Sequence, residues 1–118
     1  MFSEILLDHF RNPRNPGELP GASAVVELSN PVCGDILKLS ARVDAGRFAE
    51  VRFLCRGCTA AIACGSLVTE LLRGRALADC GEITPEEITQ SLGGLPEASA
   101  HAAHLAVEAL RALVARLS

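Results

Sequence analysis

The sequence predicts an α+β fold in which a small three-stranded antiparallel sheet packs with helices, and three observations carry that reading. Short segments of strand character occupy residues 24 to 55, helical periodicity fills the chain from residue 59 onward, and Asp44-Ala45-Gly46 forms a hairpin turn between two of the strand segments. The 118 residues are expected to make one domain, 1–118, that buries roughly two-thirds of its unfolded surface without staples.

Phe2, Ile5, Leu6, His9 and Phe10 recur at three- and four-residue spacing behind Ser3, a good N-cap, so residues 3 to 11 read as a short amphipathic helix. Asn12-Pro13, Asn15-Pro16-Gly17 and Pro20-Gly21 end it in an irregular segment. Strands are predicted over Ala24–Leu28, Ile36–Val43 and Phe48–Cys55. The second alternates strictly, with Ile36, Lys38, Ser40 and Arg42 opposing Leu37, Leu39, Ala41 and Val43. Asn30-Pro31 breaks the chain between the first two and leaves Cys33 and Asp35 in a loop at the end of the sheet.

Residues 59 to 73 carry Ala61, Cys64, Val68, Leu71 and Leu72 on one helical face, with Gly74 as the stop. Thr84-Pro85-Glu86-Glu87 opens a shorter helix, since proline suits the first helical position and acids favour the N-terminus, and Gly93-Gly94 closes it. A last helix from about Glu97 to Leu117 turns Ala106, Leu110, Leu113, Val114 and Leu117 inward.

Composition excludes several classes of function. There is no Trp or Tyr and only four Phe, so the core is aliphatic and no aromatic platform for stacking bases exists. A net charge of −3, with Lys38 the only lysine, gives no basic footprint for nucleic acid. Residues 1 to 12 lack the basic start and apolar run of a signal peptide, and no stretch approaches the roughly 18 apolar residues of a membrane span. The expectation is a cytoplasmic protein that binds neither nucleic acid nor membrane. In that reducing setting the five cysteines point to metal binding, thiol chemistry or packing rather than disulfides.

The cysteines divide by position. Cys64 lies on the apolar face of its helix and reads as core, and Cys80, before Gly81 in a connection, reads as incidental. Cys55 and Cys58 form a Cys-x-x-Cys pair, yet no second pair completes a zinc ribbon and no parallel strand–helix unit supports a redox site. Cys58 stands where a strand gives way to a helix, with Gly57 allowing a sharp turn, and its thiolate would be favoured there by unpaired amides. Cys33 shares its loop with Asp35, which taken alone reads as a solvated or capping residue. His101 falls on the opposite side of the last helix from the apolar stripe; His104 and, more strongly, His9 read as solvated. Together Cys33, Asp35, Cys58 and His101 offer two thiolates, a carboxylate and an imidazole, a set that could close a four-coordinate site for zinc or an iron–sulfur cluster.

Four stretches occur in order: Leu7-Asp8-His9-Phe10-Arg11-Asn12-Pro13-Arg14-Asn15-Pro16-Gly17; Asn30-Pro31-Val32-Cys33-Gly34-Asp35; Gly57-Cys58-Thr59-Ala60-Ala61-Ile62-Ala63 running into Ser66-Leu67-Val68-Thr69-Glu70; and Leu95-Pro96 through His101 to Ala109-Leu110. In these the chain resembles the NifU/IscU family of iron–sulfur cluster assembly scaffolds over nearly its whole length. The resemblance implies the NifU/IscU-like, SufE-like α+β architecture and carries the family's metal-binding set onto Cys33, Asp35, Cys58 and His101. It also implies a cysteine desulfurase as sulfur source, an iron donor and acceptor apo-proteins as partners, and an assembly protein without turnover of its own.

Two departures from the family pattern stand out. The family's third cysteine, a cluster ligand thought to receive sulfur, would follow the histidine, where this chain has Ala102. The Leu-Pro-Pro-Val-Lys segment that binds a dedicated Hsp70-type chaperone in the IscU branch reads Leu95-Pro96-Glu97-Ala98-Ser99, so that partner is not expected. With Cys33, Cys58 and Asp35 ionised and His101 neutral, a zinc ion or a 2+ cluster leaves a single net negative charge. Zinc tolerates the mixed donors well, whereas a sulfide cluster prefers thiolates and should be labile here. The SufU branch, which uses zinc in sulfur transfer, implies a zinc-dependent sulfurtransferase as an alternative. A structural or regulatory zinc protein that has lost assembly is the other.

Overall fold

The computed structural model describes residues 1–31 and 34–118; Val32 and Cys33 lie outside the described residues. The chain runs α1 (Glu4–Arg11), β1 (Ala24–Asn30), β2 (Asp35–Asp44), β3 (Arg47–Arg56), α2 (Thr59–Leu72), a 3-10 helix (Leu77–Glu82), α3 (Pro85–Ser91), a 3-10 turn (Glu97–Ser99) and α4 (Ala100–Leu117).

The sheet is antiparallel in the order β1-β2-β3. Its period-two pattern sets whole rungs facing the helices: Ala24, Ala41 and Val51 in one, Val26, Leu39 and Phe53 in the next, all buried. A third rung joins Leu28, Leu37 and Cys55. α2 lies on β3, α4 on β1, and the two helices pack on each other to close the core. Gly65 lets α2 come this close, since a Cβ there would stand 2.7 Å from a ring carbon of Phe53. The β2–β3 turn takes Ala45 and Gly46 to φ of 52° and 75°, the paired left-handed geometry of a two-residue hairpin.

The free border of β3 is occupied at two places. Phe53 N–H donates to Asn15 O at 3.1 Å and Gly17 N–H donates to Phe53 O at 2.8 Å, so the segment after α1 runs along the strand. Nearer the hairpin, Gly74 N–H donates to Phe48 O and Phe48 N–H to Arg75 O. Along β1 no further strand is laid among the described residues, and Arg116 donates to the carbonyl of Val25 at 3.0 Å.

Several expectations change. β1 continues to Asn30 because the backbone pairs through Asn30↔Asp35, and Asp35 becomes the first residue of β2, buried rather than solvated. The last helix starts at Ala100, after a separate 3-10 turn. Cys80 is fully buried in the core, because the 3-10 helix folds the connection back against α4. His9 is buried too: the Ser66 hydroxyl lies 2.8 Å from its Nδ1 and the Glu70 carboxylate 3.3 Å from its Nε2. Ser66 Oγ also accepts from Arg14 N–H at 2.8 Å, and because an ionised Glu70 carboxylate can only accept, the neutral ring pairs best with its proton on Nε2, toward Glu70, and Nδ1 accepting from the Ser66 hydroxyl. Burial and the nearby Arg14 charge hold His9 below its usual range, against the pull of Glu70 and Asp8. Cys64, as expected, is core.

Candidate metal centre

Three elements end at one corner of the sheet. Asp35 opens β2, Cys58 caps α2 directly after β3, and His101 is the second residue of α4. The Cys58 cap follows from its place in the chain. Its φ and ψ are extended, and its Sγ accepts from Ala61 N–H at 3.4 Å, taking up one of the unpaired amides at the start of the helix.

Asp35 is the hub. Its Oδ1 accepts from Cys58 N–H at 3.2 Å, which fixes the carboxylate and aims Oδ2 at the other two groups. Oδ2 lies 3.8 Å from Cys58 Sγ and 3.2 Å from His101 Nε2. The Asp35 side chain is 3% exposed, whereas Cys58 is exposed and the His101 side chain is 27% exposed, so the site opens to solvent on the thiol and imidazole side. Gly57 has a different job from the one its sequence suggests. Its φ is not left-handed; instead a Cβ there would meet Asp35 Oδ1 at 2.5 Å, so only glycine leaves room for the carboxylate.

The donor set fits a metal. The three ligand atoms lie within 4.8 Å of one another. Metal–ligand bonds of about 2.0–2.3 Å at tetrahedral angles separate donors by about 3.3–3.8 Å, and the two Oδ2 distances match that span. Imidazole, carboxylate and thiolate together suit zinc, and each also serves iron.

Of the sequence-predicted set, the structure brings together Asp35, Cys58 and His101, while Cys33 lies outside the described residues. His104 is exposed, as expected, and takes no part in the cluster. Ala102 is 1% exposed and offers no donor. Cys55 is half-buried at the edge of the cluster, its thiol pushed up to about 12 by burial, with the Asp35 and Cys58 charges adding to the shift. Burial does the same to Cys64. The steric role of Gly57 and the His9–Ser66–Glu70 cluster were not foreseen. Their partners lie tens of positions away, and only the adjacency of Gly57 to Cys58 hinted at the first.

The model of the NifU-like N terminal domain matches residues 1–117. Iron-sulfur cluster assembly scaffold protein IscU 1 of Archaeoglobus fulgidus is 40% identical over 111 residues, covering 94% of this chain and 72% of that protein. The scaffold protein IscU of Haemophilus influenzae is 36% identical over 118 residues, covering 97% and 93%. A crystal structure of the N-terminal part of a NifU-like protein from Brucella abortus superposes with a TM-score of 0.80 over 98% of this chain and 92% of that one. At 14% identity it speaks for the fold alone. No helix among the described residues is long and apolar enough to cross a membrane.

Proposed function

The chain belongs to the family of NifU-like N-terminal domains, and from that premise we propose that it is an iron–sulfur cluster assembly scaffold acting as one domain, with Asp35, Cys58 and His101, joined by Cys33, as its metal-binding residues. The observation that carries the reading is the convergence of three donor atoms from the ends of β2, α2 and α4 around one carboxylate oxygen.

The cluster is cargo. It would be built from sulfide supplied by a cysteine desulfurase and iron from a donor, then released to apo-proteins in the cytoplasm. This chain's own residues hold and orient. Asp35 is locked by the Cys58 amide, Cys58 presents an accessible sulfur at the positive end of α2, and His101 presents its imidazole on the open, solvent-facing side. A site with a hard carboxylate at its centre binds a sulfide cluster loosely, which suits release. The same mixed donors accept zinc, and we propose zinc as the alternative occupant.

The exposure of Cys58 also supports a second reading, a zinc-dependent sulfurtransferase in which that thiol leaves the metal to take persulfide sulfur. Anaerobic reconstitution with ferrous iron, sulfide and a cysteine desulfurase separates the two. A scaffold develops sulfide-to-iron absorption that Cys58→Ala and His101→Ala abolish and His104→Ala leaves. Stimulation of the desulfurase with no such absorption assigns the sulfurtransferase. Bound zinc with neither effect overturns both and leaves a structural zinc protein.

A further inference from the structure

The donors described so far do not use Cys55, which β3 carries to the margin of the site. Pairing of Leu37 with Cys55 puts both side chains on the helix-facing side of the sheet, and the alternation puts Asp35, two residues before Leu37, on that same side. Gly57 stands opposite Asp35, where a Cβ would touch the carboxylate. Cys55 is therefore the diagonal neighbour of Asp35, about 7–8 Å away between Cα atoms and somewhat less between Cβ atoms, outside the three-donor group but beside it. It is a free thiol, half-buried, and close enough for both Asp35 and Cys58 to act on it electrostatically.

We propose that Cys55 is an exchangeable thiolate ligand of this site, taking the place of the Asp35 carboxylate when the bound metal is soft or sulfide-bridged. The inference rests on the scaffold reading above and deepens it. A carboxylate is the hardest donor of the set, and sulfide-bridged iron favours thiolate. The exchange conserves the charge of the ligand set, one thiolate for one carboxylate. The Cys55 S–H bond breaks and its proton passes to solvent, an Sγ–metal bond forms, the Asp35–metal bond breaks, and nothing is oxidised or reduced. Released Asp35 keeps its backbone partner in Cys58 N–H, so the loop does not collapse when the carboxylate leaves. The ligand swap gives the site two settings, one suited to a hard ion on arrival and one to a finished cluster.

Cobalt(II), whose absorption reports thiolate ligation, tests this without any assay of cluster assembly. Asp35→Ala should retain cobalt and gain thiolate-to-metal absorption relative to the parent. Adding Cys55→Ser should remove that gain and weaken binding by about tenfold or more. No gain in Asp35→Ala, or a gain that survives Cys55→Ser, overturns the proposal. Asp35→Asn, which preserves side-chain volume, replaces Asp35→Ala if circular dichroism finds the latter unfolded, with the same two outcomes. Cobalt binding that is unchanged in both Cys58→Ala and His101→Ala would instead overturn the site itself, so failure of the scaffold reading is distinguishable from failure of the exchange.

Discussion

A methyl group at position 57 is the smallest change that should take the site apart. The added carbon would sit 2.5 Å from Asp35 Oδ1, and since that oxygen is held by the Cys58 amide, the carboxylate has to leave its place. Gly57→Ala should weaken zinc binding by about 10- to 100-fold while leaving the core intact, measurable by competition with a chromophoric chelator. His9 supplies a second residue-scale prediction. Its folded value is held below the ordinary 6.5, so the unfolded chain takes up the proton first. Stability is therefore full above 6.5 and falls as pH drops through 6.5 toward the folded value. Thermal melts at pH 7.5 and 5.5 should show that loss, and His9→Gln should make it smaller. A wild-type and variant loss of equal size would remove His9 from the account. Ser66→Ala, which strands the Arg14 amide and the neutral His9 Nδ1, should cost about 1–3 kcal/mol at pH 7.5.

At the scale of elements, the β2–β3 hairpin places an alanine where the backbone is left-handed. Ala45 at φ 52° carries a strain that asparagine relieves, so Ala45→Asn should raise stability by about 1 kcal/mol in urea titration with an unchanged m-value. The hairpin itself was legible, because strict alternation in β2 and a turn ending in glycine are local signals. So was α2, whose apolar face and terminal Gly74, at φ 80°, mark its extent. The 3-10 helix that buries Cys80 was not, because six residues, about two turns, leave too little period to read. His9 read as solvated for a related reason: the groups that bury it, Ser66 and Glu70, belong to another helix far along the chain. For the site, residue types were legible while their arrangement was not. Nothing local to Asp35 tells that its neighbours come from the starts of α2 and α4, or that it is buried between them.

For the whole molecule, the site ties together the ends of three elements that otherwise meet only through the core. A metal bound by the folded chain alone stabilises it by mass action, about 2.7 kcal/mol at 100 times the dissociation constant. Zinc should therefore raise the melting temperature of the parent, chelator should reverse it, and Cys58→Ala should show neither response. The sheet carries a different consequence. Among the described residues, the β3 border is held at two places by the chain's own residues 15–17 and 74–75, and the β1 border carries no further strand, with its Val25 carbonyl engaged by Arg116. A molecule with a single open margin can be joined by one neighbour and no more. Strand-to-strand pairing between copies along β1 should thus stop at a pair, so that the protein exposes the Cys58 thiol and a half-buried imidazole at the sheet's corner without the chain-to-chain zippering that an open sheet invites.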